Sequence, residues 1–146
     1  MIDYQDDSVF PAPIDTVRKL LAAHADDQLI TRIHPLLKTQ KTIDRSGPDS
    51  VVERWTDVRG KVLRSRWRIS SATPDAYRWE VLDGEGPWSP GTFLESSYFG
   101  VPEGTRIRTR GSLKISVLPF FLPQRSAIRK VLDQIHEEDL AYARRP

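Results

Sequence analysis

The sequence contains no cysteine, which excludes disulfides, thiolate nucleophiles, thiolate-bound zinc and iron–sulfur clusters. It has no run of 18 apolar residues and no basic, then apolar, leader after Met1. Neither a membrane span nor a secretory signal is therefore expected, and the expected compartment is the cytoplasm. One-sided charge is also missing: 22 Lys and Arg stand against 20 Asp and Glu, a net +2 that gives little long-range steering toward nucleic acid or anionic lipid. There is no internal repeat and no low-complexity linker. No nucleophile elbow, P-loop or dinucleotide fingerprint occurs, and Gly84-x-Gly86 is followed by Pro87 and Trp88 where a phosphate-binding loop needs a helix. What remains is 146 residues, enough for one domain over 1–146 with a core that needs no staple.

Eleven prolines and eight glycines divide the chain into periodic segments. Residues 2–10 read as a first strand. Pro13-Ile14-Asp15 opens a helix in which Ile14, Val17, Leu20 and Leu21 recur on one face. Asp26 and Asp27 are placed to cap a second, short helix through Thr31, closed by Pro35. From there the period is two: strands at 36–44 and 51–58, then Arg59-Gly60, a two-residue turn in which glycine accepts positive φ. That turn pairs Val58 with Lys61, Arg54 with Ser65 and Val52 with Trp67. It puts Leu63, Ser65, Trp67 and Ile69 on one face and Arg64, Arg66 and Arg68 on the other. Tyr77, Trp79 and Val81 repeat the alternation, and strands at 92–99 and from Thr105 toward Val117 follow. A last helix runs to about Ala143 with Ile128, Val131, Leu132 and Ile135 as its apolar stripe. A meander with one apolar face must be covered, and only the last helix is long enough to do it. The fold expected is α+β, in the order β-α-α-β6-α, with a curved antiparallel seven-stranded sheet around the C-terminal helix.

This order resembles the helix-grip fold of the START-related, birch-pollen-allergen-like superfamily, which includes polyketide cyclase/dehydrase-like and coenzyme Q-binding-like proteins. The resemblance spans nearly the whole chain. It rests on Phe10-Pro11-Ala12-Pro13-Ile14-Asp15-Thr16-Val17, on Gly104-Thr105-Arg106-Ile107 before the last strand, and on the terminal amphipathic helix. After the second helix the family often has tryptophan and proline together, where this chain has Ile33-His34-Pro35. The resemblance implies a hydrophobic cavity between sheet and helix and a lipid, isoprenoid or polyketide-like ligand. It transfers no active site, implies no cofactor, and leaves monomer and homodimer open.

Large rings on the inward period make Trp67, Tyr77 and Trp79 expected cavity residues, joined by Tyr98 and by Trp88 in the proline-bounded loop 86–91. The plainer alternative is that these rings fill the core beneath the helix, with Trp88 an anchor packed on the domain. Arg54 is the odd inward residue if the hairpin register holds; a guanidinium there suits a carboxylate or phosphate. A bulge would turn it outward. His24, His34 and His136 have no metal-ligand spacing, so no metal site is expected. His136 and Asp139, three apart on one helix, are expected to touch, either as a surface pair or as a general base with its orienting carboxylate. Arg54 with Asp57 is a second catalytic pairing.

Arg64, Arg66, Arg68 and Arg106, Arg108, Arg110 form an outer ladder that could track phosphates. Glu80 and Glu95 lie on the strands between, so a solvated, ion-paired face is the favoured reading and nucleic acid an unlikely partner. Phe120, Phe121 and Leu122 read as an apolar knuckle suited to plug the cavity mouth, touch a membrane or support a dimer, with the plug the conservative reading. Three functions follow in order: a binder of a hydrophobic small molecule, a cyclase or hydratase-type enzyme in the same cavity, and a nucleic-acid or ribosome interaction module using the outer arginine face.

Overall fold

The computed structural model describes residues 1–47, 49–73, 75–115 and 123–145. Its elements are β1 (Ile2–Phe10), α1 (Ile14–His24), α2 (Leu29–Ile33), β2 (Leu37–Ser46), β3 (Asp49–Val58), β4 (Lys61–Thr73), β5 (Ala76–Gly84), β6 (Phe93–Val101), β7 (Gly104–Leu113) and α3 (Gln124–Ala143). The seven strands form one antiparallel sheet in the order β1-β7-β6-β5-β4-β3-β2, as the β-α-α-β6-α reading expects. The last strand stops at Leu113. Val117 and the Phe120–Leu122 plug lie outside the described residues.

The register follows from one turn. Arg59 and Gly60 both take positive φ, +54° and +84°, the twist that a two-residue hairpin requires. Asp57 Oδ1 accepts the Gly60 N–H at 2.8 Å and fixes the corner. The pairs Val58 with Lys61, Arg54 with Ser65 and Val52 with Trp67 result, and no slip intervenes along β3 and β4. Register shifts do occur between Leu37 and Thr39, Thr42 and Asp44, and Arg66 and Trp67. Each such irregularity bends its strand, so the sheet curves over the helix.

Only one of the two acids expected to cap α2 does so. Asp26 Oδ1 accepts the N–H groups of Gln28 and Leu29, both at 2.9 Å. Asp27 turns away to β2, where it accepts the Thr42 N–H and hydroxyl at 2.8 Å each and Gln40 Nε2 at 3.1 Å. At the β6–β7 corner Gly104 has φ +145°, and a Cβ there would stand 2.2 Å from the Phe10 carbonyl oxygen.

Two apolar clusters line the concave side. One gathers Val52, Trp67, Val81 and Leu113 of the sheet with Ile128 and Leu132 of α3. The other joins Phe10, Tyr98 and Ile107 to Val17 and Leu20 of α1 and Ile33 of α2. Tyr77 touches both. The seams of the sheet are unequal: β3 and β4 pair over ten residues and β6 and β7 over nine, but β5 and β6 over only five, Ala76–Glu80 against Phe93–Ser97.

On the convex side the arginine ladders are tied to acids across the strands. Arg64 pairs with Glu53, Arg68 with Glu80, Arg78 and Arg110 with Glu95, and Arg106 and Arg108 with Asp7. Among the described residues no helix is long and apolar enough to cross a membrane.

Candidate functional site: a cavity between sheet and helices

Between the sheet, α1, α2 and α3 lies a cavity of about 530 Å³. Its size falls within the range of about 300–1,000 Å³ usual for small-molecule sites. Trp67, Trp79 and Trp88 make a chain of rings along one wall, with centroids 4.9 Å apart for the first pair and 5.8 Å for the second. Trp67 is held from behind, because its Nε1–H donates to the buried Ser65 hydroxyl at 2.7 Å. Trp88 is only 5% exposed and bridges to Ile115, so the ring is packed on the domain and still faces the cavity.

Arg54 faces inward, as the hairpin register requires. Its Nε donates to Gln40 Oε1 at 2.9 Å, and its Cζ lies 4.8 Å from the Trp67 ring centroid. Gln40, itself buried, is oriented by Asp27. Burial pushes the guanidinium below its ordinary pKa, partly offset by the Tyr77 phenol beside it; no carboxylate contributes. A guanidinium nevertheless stays charged at neutral pH. Burial likewise raises Tyr77 and Tyr98, so both phenols are neutral donors. Ser96 and Thr109 hydroxyls, 3.1 Å apart, complete this polar stripe on the sheet.

The helices contribute a second polar group. His24 ends α1, His34 follows α2, and Asp139 projects from α3. His24 Nε2 and His34 Nε2 lie 2.9 and 3.0 Å from the same Asp139 oxygen and 3.4 Å from each other. His34 Nδ1 meets Glu138 Oε1 at 3.1 Å. Burial opposes ionisation of Asp139, but hydrogen bonds from both histidines prevail and bring its pKa down to about 2. Burial also disfavours a charged His34, yet Asp139 and Glu138 more than offset this and raise its pKa. All four residues line the cavity.

With this geometry in view, the likeness to solved structures is informative. The crystal structure of Ara h 8.0201 superposes with a TM-score of 0.77 over 97% of both chains at 15% identity. The chain has the helix-grip fold. A START superfamily protein from Mycobacterium smegmatis matches at TM-score 0.66 and 12% identity over 97% of this chain and 92% of its own. The Zhui aromatase/cyclase from Streptomyces sp. R1128 matches at 0.68 and 16% over 97% and 93%. No family model and no curated protein matches the sequence.

In this helix-grip protein the inward rings Trp67, Tyr77, Trp79, Trp88 and Tyr98 all stand on the cavity wall with Arg54. Three expectations fail. Asp139 is not the partner of His136: it is buried and held by His24 and His34, while His136 lines the cavity separately. Nor are the histidines too scattered to converge, since two of the three meet at one carboxylate. Asp57 also does not serve Arg54; it holds the hairpin corner at the cavity rim. The sequence carried one overlooked signal. Ile128, Leu132, Ile135 and Asp139 are spaced 4, 3 and 4 apart, so the acid continues the buried stripe.

Proposed function

We propose that this protein binds an apolar small molecule with one anionic or carbonyl-bearing end, of lipid, isoprenoid or polyketide type, in the cavity. The observation that carries the reading is Arg54, a half-buried cation on an aromatic wall with no carboxylate partner among the described residues. An uncompensated charge away from water is costly, and a ligand anion would relieve that cost on binding. The apolar remainder of the ligand would displace water along the tryptophans, where each buried CH₂ contributes about 0.8 kcal/mol. Native mass spectrometry of the purified protein, followed by identification of what denaturation releases, tests this. A stoichiometric apolar compound with an acidic or carbonyl group supports it. A released compound bearing a cationic head, or binding unaffected by loss of Arg54, would refute it.

A cyclase-type reaction in the same cavity is the second reading. It is favoured by the ionised Asp139 with its two histidines inside an apolar enclosure and by the likeness to aromatase/cyclases. It requires turnover of a polyketide-like carbonyl compound that is lost when the acid–base group is replaced while affinity is kept. The arginine-face module is disfavoured because its guanidiniums are already paired across the strands.

A further inference from the structure

The three helices each bring one metal-ligating side chain to a common point. An imidazole nitrogen from the end of α1, another from just after α2 and a carboxylate oxygen from α3 stand 2.9, 3.0 and 3.4 Å apart. An ion about 2.1 Å from three donors needs donor pairs about 3.0 Å apart in an octahedral array and about 3.4 Å apart in a tetrahedral one. The observed triangle matches those spacings. An ion would take the place of the Nε2 protons that both histidines donate to Asp139, while the His34 Nδ1 proton stays toward the Glu138 carboxylate. That is the carboxylate–histidine relay which commonly orients an imidazole on a metal.

We propose that His24, His34 and Asp139 form a binding site for a divalent transition-metal ion, with Glu138 as the positioning residue behind His34 and the remaining coordination positions open to the cavity. Two imidazoles and a carboxylate suit zinc or ferrous iron and not calcium or magnesium, which prefer oxygen donors throughout. Metal binding stands on the donor geometry and does not require the ligand reading above.

The test is titration of the chelator-stripped full chain with Co²⁺, read by visible absorption, and with Zn²⁺, read by calorimetry. One ion per chain is expected, with intense cobalt bands if four-coordinate and weak ones if six-coordinate. Asp139→Asn and His24→Gln should each abolish stoichiometric binding, Glu138→Gln should weaken it by about 10–100-fold, and His136→Ala should leave it unchanged. Circular dichroism identifies any variant that has not folded, and the wild-type titration stands without them. Absence of a cobalt spectrum in folded wild-type protein overturns the proposal. So does binding that survives both Asp139→Asn and His24→Gln, or that disappears with His136→Ala. None of these outcomes depends on whether an apolar compound copurifies.

Discussion

Replacing Arg54 with methionine separates what the guanidinium does for the fold from what it does for a ligand. In the unliganded protein the change removes a charge-assisted hydrogen bond to Gln40 and a cation–π contact with Trp67. These contribute about 1.5–3 and 0.5–2 kcal/mol in comparable settings. It also removes the desolvation cost of a half-buried guanidinium, and Gln40 keeps its bond to Asp27. The opposing contributions are of similar size, so the urea unfolding free energy should change by no more than about 1 kcal/mol. Binding should respond differently. Loss of a hydrogen-bonded ion contact of about 1.5–3 kcal/mol predicts roughly 10- to 100-fold weaker affinity for an anionic amphiphile. A medium-chain carboxylate and its matching alcohol provide the comparison, followed through quenching of the tryptophans on the cavity wall. The carboxylate should lose affinity in Arg54→Met and the alcohol should not. Equal loss for both, or no loss for either, would refute the reasoning, because the guanidinium would then be a packing element alone.

Trp67→Phe should cost about 1–3 kcal/mol, since the buried Ser65 hydroxyl loses its indole partner; a denaturation midpoint unchanged from wild type would contradict this. Gly104→Ala should destabilise by more than about 1 kcal/mol, because the left-handed φ and the Phe10 carbonyl both oppose a Cβ, and urea titration reads it directly. Asp27 gives a pH dependence. Burial opposes its ionisation, but Thr42 and Gln40 hydrogen bonds, aided by Arg45, hold its pKa below the ordinary value. The folded state therefore binds its proton less readily than the unfolded chain, and the stabilisation is complete above the unfolded value of about 3.9. It is lost as pH falls below that value toward the folded one, so the stability difference between wild type and Asp27→Asn should narrow with acidification. A difference that is constant from neutral pH to acid would be inconsistent with the assignment.

Local chemistry made the sheet legible before the cavity. Arg59-Gly60 dictates a tight hairpin, and the two-residue period then carries Arg54 and Trp67 inward without further information. The helix face was equally plain from Ile128 to Ile135, and Asp139 belonged to it by spacing. Its partners did not. His24 and His34 are ten positions apart and more than a hundred from Asp139, so their meeting depends on how α1 and α2 dock against α3. No periodicity encodes that docking. The His136–Asp139 pairing failed for a related reason: three-residue spacing permits contact, but burial of Asp139 commits its oxygen to the other two histidines.

The short seam between β5 and β6 bears on how anything reaches an enclosed space. With five pairs in contact, this seam forgoes much of the ladder that holds its neighbours together. Past Glu80 the connection continues through Val81, whose N–H bonds to Thr92 and whose carbonyl accepts from Gly91. Opening free energy follows local bonding, so amide exchange should be fastest along this line and slowest between β3 and β4. Such a sheet would behave as two stiff leaves with a crease, and the tryptophan chain crosses it: Trp67 and Trp79 ride on one leaf, while Trp88 is fastened to Ile115 beyond it. A guest that parts those rings would work the crease, which couples filling of the interior to the breathing of the sheet.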